Sequence, residues 1–335
     1  MKITVIGSGG WGTALALLLH KSGNDVTVWS FAQGEIDYIR EHRENALLKG
    51  VAIPEDIALT TDMAAADADL VISAVPSFAV RQTAEKLKPY LRPETILVSV
   101  TKGIERETSK RMSQILEEVT GHTVAVLSGP THAEEVARGI PTGCVVACED
   151  RAVAETVQNV FMSPVFRVYA GDDIVGVELG AALKNIYALI AGVLEGAGCG
   201  DNTKALMMTR GLTESARLGM ALGASKETFA GLSGVGDLIV TCCSMHSRNH
   251  RCGILIGQGK TPEEAMKEVG AVVEGYYAAA SAHDLSLRAG VEMPIAEAAY
   301  RALYENLTVQ EAIEALMGRA KKNEVETNWL HQRTV

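Results

Sequence analysis

The chain has few of the features that mark a secreted, membrane-spanning or polyanion-binding protein. Six cysteines in 335 residues fall well short of a disulfide-stapled scaffold, so reduced thiols are expected. No basic region followed by an apolar core precedes Ile3; no signal peptide is read there, and the cytoplasm is the expected compartment. Lysine and arginine number 31 against 41 acids, for a net charge of −10. That balance argues against broad nucleic-acid binding and confines any anion site to a local pocket. A long uninterrupted apolar run is also missing. Leu179–Gly198 comes nearest, but Lys184, Asn185 and Glu195 break it, and their cost in a bilayer favours a buried helix over a membrane span. Hydrophobic residues, in contrast, are abundant at 47%, enough to fill the core of one large or two ordinary domains.

Two rhythms divide the sequence. Apolar, mostly β-branched runs at Ile3–Ile6, Val26–Trp29, Leu70–Ala74, Ile96–Val100, Val124–Leu127 and Cys144–Ala147 alternate with helical stretches. This spacing predicts βα crossovers and a largely parallel sheet. From about Gly176 the patterns become long and helical, with capping signatures at Thr261–Glu264 and Thr308–Glu311. The expected architecture is an α/β Rossmann domain over residues 1–173 and an all-α domain over 174–335, the break falling near Gly171, Asp172 and Asp173.

TVIGSGGWGTALA, Thr4–Ala16, sets a glycine turn between the first strand and a helix. Gly7 permits the tight turn, Gly9 leaves room for a pyrophosphate, and Gly12 lets the helix approach the sheet. Amides at that helix start can receive negative oxygens, so a dinucleotide is expected there. Trp11 either packs the turn or shields the cofactor. At the end of the second strand, where a ribose-binding acid would favour NAD, stand Ser30, Phe31 and Ala32, with Glu35 and Asp37 arriving late. No arginine replaces the acid, so NADPH is expected to bind without a settled preference over NADH.

Polar strand ends and one helix carry the candidate chemistry. Lys102 follows a strand in VTKG, where it can face substrate or nicotinamide or lie on the surface. SGPTHAEE, Ser128–Glu135, offers glycine, hydroxyls and His132 at a helix start, a setting for an anion. Lys184 and Asn185 interrupt a strongly apolar helix. An idle charge there would be expensive, so Lys184 is either a proton donor and acceptor in carbonyl chemistry or the partner of an acid such as Glu178 or Asp237. Asp237 follows the flexible GLSGVG turn, and SRNHRCG clusters Ser247, Arg248, Asn249 and Arg251 in a way that suits a phosphate or an exposed salt-bridge cluster. Cys242, Cys243, His246, His250 and Cys252 lie nearby, but their spacing fits no common zinc pattern, and no metal is expected.

Taken in order, GSGGWG, SAVPS, TKG, SGPTHAEE, ELGAALKN, TRGLTE, GLSGVGDL, SRN and VVEGYYAA make the chain resemble bacterial NAD(P)-dependent glycerol-3-phosphate dehydrogenases over essentially its whole length. The resemblance implies a helical domain of the 6-phosphogluconate-dehydrogenase-like type and interconversion of dihydroxyacetone phosphate and sn-glycerol 3-phosphate. It also implies a role in phospholipid synthesis, a cytoplasmic location without membrane insertion, and a homodimer. It puts Gly10, Trp11, Phe31, Lys102, Ala133, Arg248, Val272 and Glu274 beside the coenzyme. Lys102, Gly129, Thr131, Lys184, Asp237, Ser247, Arg248 and Asn249 fall beside the substrate, with Lys184 as acid/base. Phe31 departs from the pattern, standing where such dehydrogenases often carry a basic residue.

Overall fold

The computed structural model describes residues 1–324; residues 325–335 of the expected helical domain lie outside the described residues. The first half runs β1 (Lys2–Ile6), α1 (Gly10–Lys21), β2 (Asp25–Trp29), α2 (Gln33–His42), β3 (Ala58–Thr60), β4 (Leu70–Ser73), α3 (Val80–Leu87), β5 (Ile96–Ser99), α4 (Met112–Thr120), β6 (Val124–Ser128), α5 (Ala133–Ala137), β7 (Thr142–Ala147), α6 (Arg151–Phe161) and β8 (Phe166–Gly171). These strands form one sheet in the order β3-β2-β1-β4-β5-β6-β7-β8. Every neighbouring pair is parallel except β6 with β7. Crossover helices cover both faces, so the central strands are buried on both sides and read as unbroken apolar runs.

Strand order turns around between β1 and β4, which pair through Ile3–Leu70 and Ile6–Ser73. In such sheets the crevice outside the carboxyl ends at this switch receives ligand. The sequence pattern missed β3 and β8, the two edge strands. β3 has only three residues, and β8 alternates buried Phe166 and Val168 with exposed Arg167 and Tyr169, so neither makes a continuous apolar run.

The second half continues with α7 (Ile174–Gly196), α8 (Asp201–Ala221), α9 (Lys226–Phe229), a π-helical turn (Leu232–Gly236), α10 (Asp237–Cys243), α11 (Arg248–Gly257), α12 (Pro262–Val269), α13 (Glu274–Ala289), α14 (Pro294–Tyr304) and α15 (Val309–Met317). Asp173 caps α7 by accepting from the Gly176 amide at 2.8 Å. By length and composition α7 would cross a bilayer, yet 89% of its most apolar window is buried inside the protein. It is the axis of the helical core, with Leu183, Ile186 and Tyr187 almost fully enclosed.

α7 and α11 meet along glycines. A methyl group on Gly192 would overlap the His250 carbonyl, one on Gly196 the Ile254 carbonyl, one on Gly253 the Leu189 carbonyl and one on Gly257 the Val193 carbonyl. Each helix therefore offers two glycines four residues apart, and the backbones touch directly. Asn185 on α7 is thereby held against the start of α11, and Lys184 beside it faces α10.

Candidate active site

Local backbone demands build the first wall. Gly7 takes φ +126°, and a Cβ there would lie 2.7 Å from the Ala74 carbonyl oxygen, a conformation and an approach that glycine allows. A side chain at Gly12 would overlap the Gly7 carbonyl, whereas at Gly9, the N-cap of α1, nothing lies within 4 Å. Open space thus faces the unpaired amides of the first turn of α1. Trp11 packs on the sheet core, but its buried Nε1 has no hydrogen-bond partner among the described residues. A diphosphate-bearing dinucleotide fits this cradle by shape and by donor chemistry.

The second strand end differs from the expectation that it lacks an acid. α2 begins at Gln33, and Glu35 in its first turn reaches back so that its Oε2 accepts from the hydroxyls of Ser8 and of Ser30, the latter at 2.6 Å. Phe31 is 80% exposed beside it.

A second group of polar side chains comes from strand ends and the helical half. Lys102, just beyond β5, donates to the Gly129 carbonyl at 2.9 Å, the Thr131 hydroxyl at 3.5 Å and Asp237 Oδ2 at 2.7 Å. Lys184 donates to Asp237 Oδ1 at 2.5 Å and to the Thr241 hydroxyl at 2.7 Å. Asp237, 1% exposed, therefore bridges a lysine from each half of the chain. Of the two acids offered as partners for Lys184, Asp237 is the one engaged; Glu178 instead accepts from Arg111 and Ser113.

Burial pulls the Lys184 ammonium down from 10.5 to about 8, against the opposing pull of Asp237. Burial pushes the Asp237 carboxyl up, but the charges of Lys102 and Lys184 outweigh it and hold the group below its ordinary value. An ammonium has three N–H bonds; two on Lys184 are engaged, which leaves one for a ligand.

α11 starts beside this centre. Ser247 caps it, its hydroxyl accepting from the His250 amide at 3.2 Å, while Arg248 is exposed with no hydrogen-bond partner among the described residues. Asn249 Nδ2 donates to Asn185 Oδ1 at 2.9 Å and its Oδ1 accepts from the Gly275 amide at 2.8 Å. These bonds tie α7, α11 and α13 together and leave one amide proton of Asn249. Glu274, at the start of α13 after Val272, accepts from the Ser77 hydroxyl at 2.8 Å, and burial raises its carboxyl above the ordinary value. His132 caps α5 ahead of Ala133, and burial lowers its ring below 6.5.

Family models match both halves: "NAD-dependent glycerol-3-phosphate dehydrogenase N-terminus" over residues 2–154 and the corresponding C-terminus over 173–314. The chain belongs to the NAD-dependent glycerol-3-phosphate dehydrogenase family. It is 53% identical over 329 residues to glycerol-3-phosphate dehydrogenase [NAD(P)+] of Moorella thermoacetica, covering 97% of this chain and 98% of that one. It is 50% identical over 333 residues to the protein of the same name from Fusobacterium nucleatum, covering 98% and 99%. The crystal structure of glycerol-3-phosphate dehydrogenase from Coxiella burnetii superposes with a TM-score of 0.91 at 34% identity, over 95% of this chain and 98% of that one.

Within this glycerol-3-phosphate dehydrogenase fold, Lys102, Gly129, Thr131, Lys184 and Asp237 form one connected group. Asn249 and Gly275 form a second, joined to it through α7. Thr241 and Ser77 were missed from sequence. Thr241 sits four residues after Asp237, and that polar pair on an otherwise apolar helix turn was the available signal. Ser77 closes the SAVPS strand end, but its role could not be read there, because its partner Glu274 comes from the other half of the chain. Among the described residues no three His, Cys, Asp or Glu side chains converge as metal ligands. None of the six cysteines is bridged.

Proposed function

We propose that the chain reduces dihydroxyacetone phosphate to sn-glycerol 3-phosphate, and catalyses the reverse, with Lys184 as the proton donor and acceptor. The observation that carries this reading is the Lys184–Asp237–Lys102 centre, in which a buried carboxylate from the helical half bridges a buried lysine of α7 and a lysine at the end of a sheet strand. The reduced nicotinamide, when bound, supplies hydride to the carbonyl carbon.

As charge grows on the carbonyl oxygen, the free N–H of Lys184 stabilises it and then passes on its proton; in the reverse direction the neutral amine takes the proton back. Asp237 and Thr241 fix the ammonium, and Lys102 balances the charge of Asp237. Arg248, the remaining amide proton of Asn249 and the first amides of α11 after Ser247 hold the phosphate. Gly129 and Thr131 bound the substrate on the sheet side. Gly7, Gly9, Gly10, Trp11 and Gly12 take the diphosphate end of the coenzyme, with Phe31, Ala133, Val272 and Glu274 along its length.

On this reading residues 1–173 form the coenzyme-binding domain and 174–335 the substrate-binding and catalytic domain, each lending residues to the other's ligand, in a cytoplasmic homodimer that supplies glycerol 3-phosphate to phospholipid synthesis. The test is coenzyme oxidation with dihydroxyacetone phosphate, dihydroxyacetone and small 2-oxo acids. Strong preference for the phosphorylated ketone is expected; equal efficiency with dihydroxyacetone removes the phosphate anchor, and preference for an oxo acid replaces the substrate.

A further inference from the structure

Glu35 occupies the gap between the two walls that enclose a dinucleotide's adenosine ribose, the end of β2 and the glycine turn. Two hydroxyls aim it. Ser30 is 1% exposed and Ser8 6% exposed, and both donate to the same carboxylate oxygen, Oε2. The other oxygen, Oε1, has no hydrogen-bond partner, and neither oxygen has an ion-pair partner among the described residues. Serine hydroxyls orient the carboxylate without neutralising it. Positive charge is not brought in beside it: Phe31 supplies an exposed ring, and Arg40 is turned to the Leu59 carbonyl and to Asp37.

We propose that Glu35 makes this chain selective for NADH, its free carboxylate oxygen accepting from the ribose 2′-hydroxyl and excluding the 2′-phosphate of NADPH. The proposal rests on the coenzyme site argued above. A hydroxyl can donate to a carboxylate. A phosphomonoester near neutral pH is an acceptor carrying close to two negative charges, and it would face a fixed third with no guanidinium to offset it. The acid is displaced from the strand end into the following helix, but the side chain returns the charge to the place a strand-end acid would fill.

Fluorescence titration of NADH and of NADPH into the full chain tests this without turnover, and kcat/KM for each coenzyme with dihydroxyacetone phosphate gives a second reading. NADH is expected to bind at least about tenfold more tightly, the factor that about 1.4 kcal/mol provides. In Glu35→Gln the amide oxygen can still accept from both serines while the charge is gone, so the ratio should narrow about tenfold; Glu35→Ala should narrow it similarly. For the unaltered protein, raising salt from about 0.02 to about 0.5 M should also narrow the ratio, because an exposed carboxylate is screened; a purely structural glutamate would not respond this way. Equal or tighter binding of NADPH, or a ratio unmoved in both variants, overturns the proposal. Failure to bind either dinucleotide instead overturns the coenzyme site itself, and this selectivity with it.

Discussion

Around Gly7–Gly12 the protein makes room by leaving side chains out, whereas around Lys184 it fills a buried space with charged ones. The first region offers backbone amides, which do not titrate and are aimed by helix geometry. The second offers two ammonium groups and a carboxylate whose protonation depends on burial and on one another. The contrast teaches that holding a coenzyme and moving a proton make different demands. An anion cradle needs space and fixed dipoles; a proton relay needs a group whose affinity for protons has been brought near the working pH.

The sharpest way to break this comparison is Lys184→Ala. Asp237 keeps Lys102 as a partner, so the fold should survive and coenzyme titration should be unchanged, while turnover falls by roughly 100-fold or more. Nearly unchanged single-turnover reduction at saturating substrate would leave Lys184 as a binding charge only.

Arg248→Ala comes next. Loss of a charge-assisted contact to phosphate should lower kcat/KM by about 10- to 100-fold, with KM for dihydroxyacetone phosphate rising and turnover falling. If KM holds steady, the phosphate is anchored elsewhere. On the other side of the comparison, Gly9→Val puts a side chain into space that the fold leaves open, so thermal stability should hold while coenzyme dissociation constants rise about tenfold. A drop in Tm with unchanged affinity would make Gly9 a packing residue.

The smallest effect is the most diagnostic. Lys184 has its proton affinity lowered to about 8, so ketone reduction, which needs the ammonium, should be level below that pH and decline as pH rises through about 8. Alcohol oxidation, which needs the amine, should rise over the same range. Asp237→Asn removes the charge that favours the ammonium and should move both limbs to lower pH in kcat profiles. Limbs that stay in place would assign the titration to another group.

How legible each region was follows from the range of its constraints. The glycine turn and the alternating strands could be read because their requirements are local: a positive φ, a missing Cβ, an apolar run of strand length. Lys184 stood out because a charge inside an apolar helix needs a reason wherever it occurs. Its choice of Asp237 over Glu178 could not be read, since Glu178 is claimed by Arg111, 67 residues away in sequence. Glu35 was passed over for a similar reason: its contact with Ser8 depends on where α2 begins and which way its first turn faces.

The glycine seam between α7 and α11 acts as a caliper. No atom can be removed to bring the helices nearer, and any added methyl group must open them. On the proposed reading one jaw carries the proton donor and the other the phosphate anchor. The span between them is then set by main-chain contact, not by rotamers, and selection for a three-carbon substrate is written into the spacing of two backbones.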